Sequence, residues 1–195
     1  MKNIVFDLGG VLFARDKSKC TPELIEFFSF LRAPRMPFFW EEYDRGTLTL
    51  GEVTVTIGEM TGRSVEVCAA MLQLAIDLQE PVKSTERLVG DLKAAGYKLY
   101  VLSNMSREFI DFLRRFPVYG LFDGEVVSCE EHTVKPEPRI YEILLERYGL
   151  TPSETLFIDD REANIEAAAA LGIHGFVFNH RDPEAACDAL RAQLL

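Results

Sequence analysis

The stretch Ile4-Val5-Phe6-Asp7-Leu8-Gly9-Gly10-Val11-Leu12 decides how the chain is read. Its first three residues, β-branched or aromatic, make a short apolar run suited to a buried strand. Asp7 then falls where the strand leaves the sheet, so its carboxylate rides on a rigid element. Gly9 and Gly10 let the backbone turn sharply and leave main-chain N–H groups open to an anion. Alone, an aspartate beside paired glycines is most simply a turn former bonding its own backbone. The rest of the chain changes that balance.

Outward from this strand, strands and helices alternate. Residues 98–102, 125–127, 156–158 and 175–178 read as further strands; helices are expected over 82–95, 107–115, 138–148, 163–171 and from Pro183 onward. That alternation implies a mainly parallel sheet covered on both faces, a Rossmann-like three-layer α/β/α core. A stretch of another kind follows the first strand. Thr21-Pro22 opens a helix to about Arg32, with Leu24, Phe27, Phe28 and Leu31 at helical spacing, and Pro34 and Pro37 interrupt the chain. Thr49 and Glu52 form a capping box for a helix ending near Gly62, and Ser64 starts another to about Gln79. Residues 15–80 are thus expected as an all-helical cap inserted into a core made of residues 1–14 and 81–195.

The net charge of −10 over 195 residues leaves no basic stripe for a nucleic-acid backbone. A phosphate bound here sits at a local site against the overall field, which points to small substrates. No apolar run reaches the length of a membrane span. Cys20, Cys68, Cys129 and Cys187 are scattered without a C-x-x-C pair, as expected of reduced thiols in a cytoplasmic protein. A monomer is expected.

Ligands of parallel sheets collect at the carboxyl ends of the strands. Those ends carry Asp7, Ser103-Asn104 and Asp159-Asp160, and Lys135-Pro136 stands just before the helix preceding the acid pair. Each has a plain alternative: Ser103, Asn104 or Ser106 as a helix cap, Lys135 as a surface lysine, Asp160 as an N-cap. Together they bring a nucleophile, a hydroxyl, a lysine and an acid pair to one edge. Like charges about 4 Å apart repel by roughly 4 kcal/mol at an effective dielectric near 20. Three carboxylates facing a phosphate therefore call for a cation, and all-oxygen ligation suits Mg²⁺. Ser103 and the turn N–H groups are suited to phosphate oxygens, with Lys135 balancing charge.

These motifs resemble the haloacid dehalogenase superfamily, whose four signatures correspond to Asp7-Leu8-Gly9-Gly10-Val11, Ser103-Asn104, Lys135-Pro136, and Asp159-Asp160 with Asn164. Within it, Arg45-Gly46, Val101-Leu102-Ser103-Asn104, Lys135-Pro136-Glu137 and Asp159 through Glu166 resemble the branch of bacterial α-D-glucose-1-phosphate phosphatases. The resemblance implies two-step hydrolysis of a small phosphomonoester, such as a sugar phosphate, through an aspartyl-phosphate at Asp7. It implies Mg²⁺ held by Asp7, the Gly9 carbonyl and Asp160, with Asp159 acting through a water or by orienting its neighbour. Leu8, Gly9, Gly10, Ser103, Asn104 and Lys135 would hold the phosphate, and Ser103 and Lys135 would assist Asp7.

Gly9 departs from the pattern, since most phosphatases of the superfamily carry a second aspartate there as proton carrier. Such help is typically worth about 10²–10⁴-fold. His132 and Asp16 are candidates to fill in, beside a hydroxyl or water brought by the substrate. The departure disfavours a phosphosugar mutase. A 2-haloacid dehalogenase is the enzymatic alternative, against which the Asp159-Asp160 pair counts, and a phosphate-sensing scaffold is the non-enzymatic one. In the cap, Arg45 beside Gly46 is the candidate substrate contact. Phe38, Phe39, Trp40 and Tyr43 are expected to pack the cap itself more than to face a pocket.

Overall fold

The computed structural model of the chain describes residues 1–16, 18–32 and 36–195. Lys17, in the polar exit from the first strand, and Pro34, expected to interrupt the chain, lie outside them.

Strand β1 (Asn3–Phe6) is buried at all four positions. It lies at the centre of a five-stranded sheet, paired in parallel on both sides. After it come a short β2 (Phe13–Arg15), then β3 (Gln79–Pro81), β4 (Lys98–Ser103), β5 (Gly124–Val127), β6 (Thr155–Asp159) and β7 (His174–Val177). The large sheet has the order β5-β4-β1-β6-β7. Alternation along the central strands divides two apolar layers. Ile4, Phe6, Leu99, Val101 and Ile158 face helices α5 (Lys83–Ala94), α6 (Arg107–Leu113) and α10 (Pro183–Leu194) through residues such as Leu88, Leu92, Ile110 and Leu190. Val5, Tyr100, Leu102 and Phe157 face α8 (Pro138–Tyr148) and α9 (Glu162–Ala170) through Ile140, Tyr141, Leu144 and Ala168. A one-turn α7 (Ser128–Glu131) follows β5.

Register aligns the chemistry. Phe6 stands level with Val101 and Ile158, so Asp7, Ser103 and Asp159 all emerge at the same carboxyl edge.

The insertion carries α1 (Pro22–Phe27), α2 (Phe38–Arg45), α3 (Leu50–Thr61) and α4 (Val65–Asp77) around its own apolar cluster, which includes Phe27, Trp40, Ile57 and Leu72. The expected caps form: Thr21 and Ser64 accept main-chain N–H bonds, and Thr49 with Glu52 makes the capping box. Two expectations are corrected. The first helix stops at Phe27 and continues as a 3₁₀ turn, Ser29–Arg32. The insertion is not all-helical between 15 and 80, because α4 ends at Asp77 and Gln79–Pro81 pairs antiparallel with Phe13–Arg15. Chain leaving the core and chain returning to it pass side by side, and their main-chain groups satisfy one another. Among the described residues no helix is long and apolar enough to cross a membrane.

Candidate active site

The site grows from Asp7, which continues β1 past the sheet and is 7% exposed. Its Oδ1 is fixed by three donors: the Leu8 N–H at 2.7 Å, Ser103 Oγ at 2.8 Å and Lys135 Nζ at 2.9 Å. Oδ2 accepts no hydrogen bond among the described residues, so one side of the carboxylate is pinned and the other is available. Ser103 is the last residue of β4 and fully buried. Its hydroxyl therefore serves Asp7 and does not cap the next helix.

Lys135 is no surface lysine. Its Nζ lies 2.6 Å from Asp159 Oδ2 and 3.0 Å from the Leu102 carbonyl, besides Asp7. Burial works against its charge, but Asp7 and Asp159 outweigh it and hold its pKa above the usual lysine value. Asn104 sets this lysine's backbone: its amide oxygen accepts the Lys135 N–H at 2.7 Å and its Nδ2 donates to the Lys135 carbonyl at 2.9 Å. Asp159 is completely buried and also accepts from Asn164 Nδ2 and the Arg161 N–H. Burial is the main cause that lifts Asp7, to about 6; Lys135 opposes it and Asp159 adds to it. Asp160, raised by burial and by Asp159, lies 3.2 Å from His180 Nδ1.

Oxygens of Asp7, Asp159 and Asp160 all fall within 4.8 Å of one another. With one lysine among three carboxylates the cluster is short of positive charge, and its hard oxygen donors fit a divalent cation such as Mg²⁺. Gly10 makes the approach possible. Its φ of +78° favours glycine, and a Cβ there would stand 2.7 Å from Asp160 Oδ2.

A cleft of about 950 Å³ opens over these groups, lined by Asp7, Gly9, Gly10, Asn104, Lys135 and Asp160 and, on the insertion side, by Met36, Glu41 and Asp44. Arg161 lines it too, exposed and without an ion pair among the described residues. Beside it lies a pocket of about 140 Å³ lined by Arg15, Phe28, Leu31, Trp40, Ala75, Gln79, Met105 and Phe109, with Gly9, Asp44 and Asn104 shared between the two.

Three expected contributors stand elsewhere. Arg45 does not line the cleft; its guanidinium binds Glu137 at 2.7 and 3.0 Å and also Glu41 and Glu42. A cation so surrounded ties the insertion to the core. His132 is exposed, with Nδ1 3.2 Å from the Arg45 carbonyl, and lines a separate cavity. Asp16 bonds Ser18 and Lys19 in the exit loop. Of the aromatic residues, Trp40 and Tyr43 are buried in the insertion and Trp40 also walls the small pocket, whereas Phe38 is 76% exposed.

Glu41, Asp44, Arg161 and Glu162 are charged wall residues that sequence reasoning missed. For Asp44 a signal existed: it stands four residues after buried Trp40 and three after Glu41, on the inward side of one helix.

A family model described as haloacid dehalogenase-like hydrolase matches residues 1–172. A sesquiterpene phosphatase from Aspergillus oryzae is 28% identical over 191 residues, 97% of this chain and 95% of its own length. D-ribitol-5-phosphate phosphatase from Bacteroides thetaiotaomicron is 28% identical over 193 residues, 90% of this chain and 91% of its own. A HAD family enzyme from the same organism, crystallised in complex with magnesium and inorganic phosphate, superposes with a TM-score of 0.71 at 28% identity, over 92% of this chain and 95% of that one.

Proposed function

The chain belongs to the haloacid dehalogenase-like hydrolases, and from that premise we propose that it is a Mg²⁺-dependent phosphatase of small phosphomonoesters acting through a phosphorylated Asp7. The observation that carries this reading is the environment of Asp7: a buried carboxylate pinned on one oxygen by Ser103 and Lys135 and free on the other, at the floor of an acidic cleft. Two relatives named as phosphatases and a structural neighbour holding magnesium with phosphate agree with it.

Asp7, Asp160 and the Gly9 carbonyl are the residues that would hold the ion, with Asp159 beside them. When bound, the ion neutralises charge on the phosphoryl oxygens. The chain's own groups do the rest. Ser103 and Lys135 hold Asp7 ionised and oriented, so that its free oxygen meets phosphorus in line. The Asp7–phosphorus bond forms as the ester oxygen leaves. Water then attacks phosphorus, releasing phosphate and restoring the carboxylate. Lys135 stays paired throughout and offsets the negative charge that gathers at the site.

The small pocket bears on the alcohol half of the substrate. At about 140 Å³ it is close to an engineered apolar cavity of about 150 Å³ that takes up benzene. Phe28, Leu31, Trp40, Ala75, Met105 and Phe109 make up most of its lining, beside the polar Arg15 and Gln79. This mainly apolar wall favours an apolar or aromatic group next to the phosphate over the hydroxyls of a sugar phosphate.

A screen of phosphate esters with and without Mg²⁺, run beside Asp7→Asn, tests the reading. Metal-dependent phosphate release that the variant abolishes is expected, with prenyl or arylalkyl phosphates turned over faster than sugar phosphates. Chloride release from 2-chloropropionate in EDTA would sink it in favour of a dehalogenase. Beryllofluoride binding without turnover of any ester would favour a sensor.

A further inference from the structure

We propose that Asp44, on the insertion, is the acid–base group of this site: it protonates the departing alcohol oxygen and then takes a proton from the water that cleaves phosphorylated Asp7. The proposal rests on the phosphatase reading above and adds the proton carrier that reading lacks. Placement argues for it first. Asp44 and Gly9 line both the cleft over Asp7 and the apolar pocket, so Asp44 stands at the junction where phosphorus meets its organic half. The other ionisable groups of the wall are occupied or belong elsewhere. Lys135 is shared between Asp7 and Asp159, Asp160 belongs to the acidic cluster, Glu41 pairs with Arg45, and Arg161 and Glu162 line the cleft but not the apolar pocket.

The second argument is how firmly the structure holds this residue. The Tyr43 hydroxyl donates to Glu108, the main-chain oxygen of Asp44 accepts from Ser128 Oγ, and Arg45 grips Glu137. At Gly46 (φ +77°) a Cβ would stand 2.5 Å from the Cys129 carbonyl oxygen. Four consecutive residues thus clamp the end of α2 against the core. The Ser106 N–H faces the carboxylate, as do Arg161 from the core, Asp7 from the strand edge and Glu41 from its own helix. Burial above all lifts its pKa to about 7, so it carries a proton for a good part of the time at neutral pH.

The protons balance. As the Asp7–phosphorus bond forms, the ester P–O bond breaks and its oxygen takes the Asp44 proton, leaving a neutral alcohol. The Asp44 carboxylate then accepts a proton from the attacking water as the Asp7–phosphorus bond breaks, which returns both groups to their starting states.

The test compares wild type, Asp7→Asn, Asp44→Asn and Gly9→Asp/Asp44→Asn with Mg²⁺, on benzyl phosphate and on 4-nitrophenyl phosphate, whose leaving group needs little protonation. Asparagine keeps the size and shape of the side chain without its charge or its titratable proton. Gly9 has room for a side chain, since the nearest neighbour of a Cβ at that position would be Met105 Cε at 4.0 Å. Asp44→Asn is expected to lose about 10²–10⁴-fold in kcat on benzyl phosphate. On 4-nitrophenyl phosphate it should retain a one-equivalent burst of nitrophenol, followed by slow turnover and phosphorylated Asp7 detectable by mass spectrometry. Gly9→Asp should restore at least tenfold on the benzyl ester. In wild type, kcat/KM for the benzyl ester should fall above about pH 7, a limb absent from the nitrophenyl burst. Loss under threefold on benzyl phosphate, loss of the burst together with turnover, or a missing limb in wild type each overturns the proposal, and the last applies even if the variants do not fold. A wild type without turnover of either ester overturns the phosphatase reading and this proposal together; an active wild type killed by Asp7→Asn but indifferent to Asp44→Asn overturns this one alone.

Discussion

The two walls of the cleft are held by different physics. On the core wall, Lys135 and Asp159 form an ion pair whose side chains are 1% and 0% exposed, and neighbouring carbonyls and amides complete their bonding. On the insertion wall, Arg45 and Glu137 form a comparable pair with 17% and 42% of the side chain exposed. A buried charge cannot lose its partner cheaply, whereas an exposed pair is screened and is worth about 0–1 kcal/mol. The core wall is therefore fixed by burial, and the insertion wall by several contacts that are individually modest and act together. The first suits a nucleophile that must not move, and the second a wall whose placement depends on each of its contacts.

The contrast breaks most sharply at the core. Asp7→Asn is expected to cut turnover by about 10⁴-fold or more with circular dichroism unchanged. Lys135→Met leaves Asp7 and Asp159 as uncompensated neighbours and should cost about 3–5 kcal/mol in urea denaturation. A loss below 1 kcal/mol would mean that the buried pair does not fix this wall.

Metal comes next. Saturating Mg²⁺ at about one hundred times its Kd should add about 2.7 kcal/mol, or roughly 5–10 °C in thermal midpoint for a chain of this size. The gain should vanish in Asp160→Asn and persist in Asp44→Asn, which separates the acidic cluster from the opposite wall. An equal loss in both would erase the distinction.

The same contrast explains what could be read in the sequence. The core wall was legible because strand periodicity and the carboxyl-edge rule place Asp7, Ser103 and Asp159 without any knowledge of tertiary contacts. Even Lys135, on a loop, came with its neighbours in chain order. Cap signals at Thr49, Glu52 and Ser64 likewise act within a few residues. The insertion wall depends on contacts between residues 43–46 and residues 106–137, far apart along the chain, which no local pattern specifies. Arg45 was singled out by its charge, yet its charge is what Glu137 consumes. The β2–β3 ribbon was invisible for a related reason: three-residue strands containing Arg15, Gln79 and Glu80 show no apolar alternation, and only their juxtaposition makes them pair.

Loosening the tethers sharpens the comparison at intermediate cost. Gly46→Ala forces a side chain against the Cys129 main chain at a left-handed φ and should destabilise by about 1–3 kcal/mol. Glu137→Gln weakens the Arg45 tether and should cost under about 1 kcal/mol. Both should lower kcat/KM for a slow ester several-fold while Mg²⁺ stabilisation stays at its wild-type value. Unchanged kinetics would show that the end of α2 has no part in placing the reacting groups.

The smallest effect concerns the charge on Asp44 and turns on its sign. Its folded-state pKa, about 7, lies above the ordinary aspartate value of 3.8 that approximates the unfolded chain. Between those values the native protein binds more protons than the unfolded one, and stability falls as pH rises across the window. The favourable contribution is complete below about pH 4 and gone above about pH 7. Asparagine carries no such charge, so Asp44→Asn should match wild type below about pH 4, gain on it progressively as pH rises, and reach its full advantage above about pH 7. Partial exposure and Arg161 nearby reduce the difference, to about 1 kcal/mol or roughly 2–4 °C in thermal midpoint. Melting curves in EDTA at pH 5 and pH 8 decide it. A variant less stable at pH 8 would mean that Asp44 is held there as a partnered anion, and the insertion wall would then be fixed by charge in the same way as the core.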